Sequence, residues 1–186
     1  GEWKVAHGGT VGDGYSRLHL DAPGFEDTAA QMFYLVDSGD WGFSNLYLDF
    51  NQGKAIDLTA KEVIGVRFKM RGQNGSRFSL KLGTPLAEWN WKYYEFPFET
   101  FEDWTQIVLL FERDFRPSNG NVPYLLEDAV KNATSMVWET SDVKTSGWLT
   151  IDDVEFITPT SVVLPNESSE DEAGNQNGGG SNMSSA

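Results

Sequence analysis

Alternation of apolar and polar residues at period two limits the fold of this chain more than any other feature. In residues 63–71, Ile64, Val66, Phe68 and Met70 share one parity, and Arg67, Lys69 and Arg71 take the other. Residues 77–82 repeat the pattern, with Phe78, Leu80 and Leu82 set against Arg77, Ser79 and Lys81. In residues 42–50, Leu46, Leu48 and Phe50 fall on one side; Phe43, Asn45, Tyr47 and Asp49, with Trp41 just before them, fall on the other. A helix would scatter these residues around its axis, whereas a strand sends them to opposite faces. One apolar and one polar face mark antiparallel sheets covered on a single side.

Further strand candidates are residues 15–20, 31–36, 91–96, 105–111, 134–140 and 148–157. Turn chemistry separates them: Gly72-Gln73-Asn74-Gly75, Pro117-Ser118-Asn119-Gly120 and Ser146-Gly147. Helix is confined to residues 124–132 and one turn in 57–62. About nine strands in this length predict an all-β fold, a jelly-roll β-sandwich of two antiparallel sheets.

Residues 1–158 are read as this single domain, within the size of one hydrophobic core. Residues 159–186 read as an acidic Gly/Ser/Asn-rich linker. From Pro165 onward the chain has no aromatic residue, no Lys or Arg, and no Val, Ile or Leu. Such a segment buries too little apolar surface to offset its ordering entropy, so it is expected to be disordered. A chain opening at Gly1-Glu2-Trp3 has the look of a processed or excised domain.

Composition narrows the chemistry. With 14 Lys and Arg against 28 Asp and Glu, the net charge is −14. That surface repels phosphate backbones and argues against nucleic acid and anionic membranes as partners. Zero cysteines exclude disulfides and thiolate zinc sites, and two histidines leave little for triads. No nucleophile elbow, metalloprotease helix, phosphate loop or EF-hand pattern occurs. The aromatic content, 7 Trp, 6 Tyr and 12 Phe, exceeds what a core alone explains.

Some of these aromatics fall outside the core parity. Trp41 and Tyr47 alternate with Asn45 on the non-core face of their strand. Rings that stack on the C–H face of a pyranose, beside polar groups that meet its hydroxyls, are what a carbohydrate groove needs. The same face could instead pack under a loop. Trp89, Trp91 and Tyr93 share a parity, as a stacking platform or as a core plug. Arg113 and Asp114 end an apolar run and can supply hydrogen bonds to hydroxyls, or form a solvated loop with weak local ion pairs. Trp138 is either core or the far wall of a groove. Asp152-Asp153 places two carboxylates inside an apolar strand, compensated by bound calcium or exposed near an edge.

The ordered set Gly39-Asp40-Trp41-Gly42, residues 56–72, Asp103-Trp104-Thr105-Gln106 and Gly147-Trp148-Leu149-Thr150-Ile151-Asp152-Asp153 resembles the jelly-roll carbohydrate-binding modules of cellulases, families 11 and 30. The intermediate-associated domain of respiratory complex I assembly factors shows a related pattern. The resemblance implies a sandwich that binds β-1,4 and mixed β-1,3-1,4 glucan chains through aromatic, Asp and Arg side chains. It places Trp41, Glu88 or Trp89, Arg113, Asp114, Phe115, and Trp138 or Glu139 at the ligand, with Asp152 holding a structural calcium. The family favours Tyr where Trp41 stands and where Phe115 stands.

The expectation is therefore a non-catalytic, monomeric, secreted or cell-surface module. It would bind β-glucan and target a covalently linked glycoside hydrolase to plant polysaccharide. The alternatives are a sandwich glycanase working through a carboxylate pair, and a chaperone-like assembly domain with a hydrophobic rather than grooved surface.

Overall fold

The structure is a computed structural model, which describes residues 1–8, 15–37, 42–87, 91–118, 121–141 and 144–161. Eleven strands occur among them: β1 (Glu2–Gly8), β2 (Tyr15–Pro23), β3 (Thr28–Val36), β4 (Phe43–Asp49), β5 (Gly65–Gly72), β6 (Arg77–Gly83), β7 (Tyr94–Glu99), β8 (Thr105–Leu110), β9 (Arg116–Pro117), β10 (Ser135–Thr140) and β11 (Thr145–Ile157). Two short helices, α1 (Phe111–Asp114) and α2 (Leu126–Lys131), complete the fold with a few 3-10 turns. None of the described helices is long and apolar enough to cross a membrane.

The strands form two antiparallel sheets, one of six in the order β1-β4-β10-β6-β7-β9 and one of five in the order β2-β3-β11-β5-β8. Chain neighbours repeatedly fall in different sheets, as in β4 to β5 and β10 to β11. This is the jelly-roll sandwich that the alternation predicts.

The core parities hold within the strands, but Ile64, expected on the inward side with Val66, Phe68 and Met70, precedes β5 and is 37% exposed, while Val63 is buried. Leu46 from β4, Phe78, Leu80 and Leu82 from β6, and Met136 and Trp138 from β10 face Val66, Phe68 and Met70 from β5 and Leu149 and Ile151 from β11. Trp138 sits at the centre, fully buried, with its ring 5.5 Å from both Trp3 and Phe68. The groove-wall alternative for Trp138 is thereby corrected. It shares the inward parity of Met136, so its indole fills the space between the sheets. Phe115 is also core, at 2% exposure. A backbone contact fixes Gly65, because any Cβ there would lie 2.1 Å from the Leu109 carbonyl oxygen on β8.

Three carboxylates are tied into turns. Asp49 accepts the Gly53 N–H at 2.8 Å, Asp57 the Ala60 N–H at 3.0 Å, and Asp114 the Leu110 N–H at 2.7 Å. The Gly53 amide, then Lys4, holds the Asp49 carboxyl below its ordinary range. The Thr59 hydroxyl does so for Asp57, and the Arg113 guanidinium for Asp114. A carboxyl depressed in the folded state adds stability above its unfolded pKa and loses it as pH falls through the folded value. Melting temperature should therefore hold from neutral pH to about 4 and then fall. An Asp49→Asn variant should fall less over that lower range. Thermal melts by circular dichroism from pH 7 to 2 check this, and a flat profile would count against it.

Candidate functional site

The outer face of the six-stranded sheet gathers polar and aromatic side chains from strands distant in sequence. The outward parity of β4 brings Phe43, Asn45 and Tyr47 to it. The same parity brings Val137 and Glu139 from β10, Arg77, Ser79 and Lys81 from β6, and Glu95 from β7. Register aligns them in rows. One row runs Lys4, Tyr47, Val137, Lys81, Glu95, Arg116. The next runs Ala6, Asn45, Glu139, Ser79, Pro97. A shallow depression of about 440 Å³ opens toward one end, lined by Arg77, Ser79, Pro97, Glu99, Glu139 and Ser141.

At the centre Lys81 bonds Glu139 at 2.5 Å, with both side chains under 20% exposed. The Lys81 ammonium also lies 5.4 Å from the centre of the Tyr93 ring. Glu95 flanks this pair. Burial pushes its carboxyl up; nearby Lys81 and a hydrogen bond with Ser79 oppose the rise, and the Glu139 charge adds to it. Cations and carboxylates nearly balance here, although the chain as a whole is strongly acidic. The arrangement supplies hydrogen-bond donors (Asn45, Ser79, Lys81) and acceptors (Asn45, Glu95, Glu139) next to the rings of Tyr47 and Tyr93. It fits a neutral, hydroxyl-rich ligand lying along a sheet face.

The residues expected from sequence divide. Asn45 and Tyr47 lie on this face, and the Asn45 Oδ1 accepts the Ala6 N–H at 3.2 Å. Tyr93 lies at its β7 edge, held through its backbone: its N–H donates to the Ser118 Oγ at 2.9 Å, and its carbonyl accepts the Ser118 N–H at 2.7 Å. Trp41, Trp89 and Glu88 lie outside the described residues.

Trp91 is not on a strand. Its φ of 55° is incompatible with extended backbone, and β7 starts only at Tyr94. The single-parity platform of Trp89, Trp91 and Tyr93 is therefore corrected. Trp91 is a loop residue, 73% exposed, whose N–H donates to the Ala87 carbonyl at 3.0 Å. An indole this open beside Tyr93 remains accessible to a ligand.

Arg113 and Asp114 are not on the face. They sit on α1, which joins β8 at the edge of one sheet to β9 at the edge of the other. Their side chains pair with each other, at 2.8 Å, and Asp114 also takes the Leu110 N–H. Arg113 borders a different cavity of about 540 Å³, lined by apolar Val63, Ile64, Leu110, Phe111, Leu126 and Val130. Asp152 lies on the other sheet, with one oxygen accepting the Phe25 N–H at 2.7 Å and the other the Asp153 N–H at 2.8 Å.

Sequence reasoning did not place Lys81, Ser79 and Glu95 at the site. Their outward parity was readable, but nothing local showed that β6 lies beside β10. Glu139 was one of two options at its position, and the inward turn of Trp138 leaves Glu139 on the face.

No family model matches this sequence, and no curated protein matches it. Solved structures do. The family 11 carbohydrate-binding module of cellulosomal cellulase Lic26A-Cel5E of Clostridium thermocellum superposes with a TM-score of 0.57 at 14% identity, covering 84% of this chain and 87% of that one. The family 11 module from the same organism in complex with a β-1,3-1,4-mixed-linked tetrasaccharide gives 0.56 at 13%, with 84% and 88% covered. The family 30 module of cellulosomal cellulase Cel9D-Cel44B of Clostridium thermocellum gives 0.57 at 13%, with 83% and 91% covered. At such identities the likeness establishes the fold.

Proposed function

We propose that this chain is a non-catalytic module that binds β-glucan chains on the outer face of its six-stranded sheet. The observation that carries this reading is the field around Lys81. A half-buried Tyr47, Asn45, Ser79, Glu95, Glu139 and the Tyr93 ring converge there on a near-neutral surface of an otherwise acidic protein. Structures of similar fold support it, one of them described as bound to a mixed-linkage tetrasaccharide. A sheet face, unlike an end pocket, accepts the middle of a chain, so the ligand is a polymer rather than a terminal sugar. In this reading the module acts outside the cell, as a monomer, and raises the local concentration of glucan for a linked glycoside hydrolase.

Native affinity electrophoresis against barley β-glucan, hydroxyethyl cellulose and a galactan tests the proposal. Retardation by the first two and not the third is expected, with a dissociation constant in the micromolar to millimolar range. Free migration in all three gels would overturn it. Glu95, whose carboxyl burial pushes up, stands on the same face as Glu139, which is ion-paired with Lys81, and two carboxylates on one face give a specific reason to assay hydrolysis as well. No reducing sugar should be released, and release that Glu95→Gln abolishes would establish the enzymatic alternative instead.

A further inference from the structure

The resemblance to calcium-bearing modules points to Asp152, so the donors around it decide whether a metal fits. Calcium needs about six to eight oxygens at roughly 2.3–2.6 Å. Both Asp152 oxygens already accept backbone N–H groups, from Phe25 and Asp153. The turn over residues 24–27 lies directly on the carboxylate: a Cβ on Gly24 would fall 2.6 Å from the Asp152 Oδ2. The nearby carbonyls are engaged too. Pro23 O accepts from Arg71 Nη2 at 3.0 Å, and Asp27 O from the Gly24 N–H at 3.0 Å. Among the described residues no three acidic or imidazole side chains cluster as a metal would require.

A cation is nevertheless present. Lys69 on β5 stands directly opposite Asp152 in register. Its ammonium bonds Asp153 at 2.8 Å and lies 3.3 Å from the centre of the Phe25 ring. Asp153 is turned toward it by a left-handed backbone (φ 49°) at the bulge between Asp152 and Glu155. Phe25 in turn meets Trp104 edge-on at 6.2 Å. The turn is thus held from two sides, through its amide on Asp152 and through its ring under Lys69.

We infer that Lys69 is the built-in cation of this junction, and that the turn over residues 24–27 docks on β11 without calcium. The side-chain ammonium pairs with Asp153 and clamps Phe25 by a cation–π contact, while Asp152 is satisfied by two backbone N–H groups. Its position beside oxygens that already accept hydrogen bonds leaves a divalent ion neither the room nor a free set of oxygen donors.

Calorimetric melts of the full chain in EDTA, in buffer alone and in millimolar CaCl2 test this, alongside Lys69→Met, which keeps the aliphatic stem and removes the charge. The wild type should melt at one temperature in all three conditions, and calcium titrated into it should give no binding heat. Lys69→Met should melt lower by roughly 3–6 °C, while Lys69→Arg should stay near wild type. A wild-type melt that falls in EDTA and recovers with calcium would overturn the inference, and so would a Lys69→Met protein that melts with the wild type. If Lys69→Met does not fold, Phe25→Leu removes the ring face and spares the ion pair. It should still lower the melt, and an unchanged melt would again overturn the clamp. The outcome does not depend on glucan binding, since this junction lies on the opposite sheet from the proposed groove.

Discussion

Replacing Tyr47 by Ala should weaken binding of mixed-linkage β-glucan by roughly 5- to 30-fold, the equivalent of about 1–2 kcal/mol for one lost ring contact. The stability cost should be small. Tyr47 projects from the middle of β4 away from the core, with Lys4 and Val137 as its register neighbours, and it fills no space between the sheets. Titration calorimetry with a glucan oligosaccharide, paired with a thermal melt of the same protein, separates the two effects. Tyr47→Phe should keep most of the affinity if the ring does the stacking, and lose it if the hydroxyl is the contact. Wild-type affinity in Tyr47→Ala would remove the outer face of the six-stranded sheet as the site.

Trp138→Ala should behave in the opposite way. Its side chain is fully buried and packs on Trp3 and Phe68 at the centre of the sandwich. Truncation removes a large buried ring and leaves a cavity that two hydrogen-bonded sheets cannot close. Such changes cost about 3–5 kcal/mol, which for a domain of this size is a drop in melting temperature of roughly 6–20 °C. Any loss of glucan binding should track the unfolded fraction and disappear when the assay is cooled well below the melt. Denaturant titration with a parallel binding isotherm distinguishes this from a contact role. A stable Trp138→Ala protein with weakened affinity would return Trp138 to the groove. The pair of variants thus separates two aromatic residues that sequence reasoning placed in one site.

The difference between Tyr47 and Trp138 shows what was legible. Both lie on alternating strands, and in both the neighbours reveal parity. For β4 the aliphatic series Leu46 and Leu48 identifies the core side, leaving Tyr47 outside. For β10, Met136 is the only aliphatic companion of Trp138, while Val137 lies on the opposite parity. Parity alone therefore did not decide which side was in. The strand placement of Trp91 was overturned for another reason. Its strand pattern was interrupted by a backbone with φ of 55°, and a left-handed residue of this kind carries no side-chain signature unless it is Gly, Asn or Asp. Arg113 and Asp114 lie off the face because a four-residue helix, whose Asp114 carboxylate accepts the Leu110 N–H, replaced the expected strand end.

Period-two alternation by itself determined that the chain is an all-β sandwich, and which residues of β4, β5 and β6 form its core. These are local properties, since a strand has two faces and water selects the polar one. The tertiary structure alone decided that Lys81 and Ser79 stand between Glu139 and Glu95, that Trp138 turns inward, and that Lys69 meets Asp153 and Phe25. Each of these depends on sheet order, and sheet order in a jelly roll arises from pairing between strands far apart in the chain. Glu139 and Ser79 face each other across sixty positions of sequence. No local pattern encodes that partnership. It follows from the arrangement that brings the inward apolar faces of both sheets together in one core.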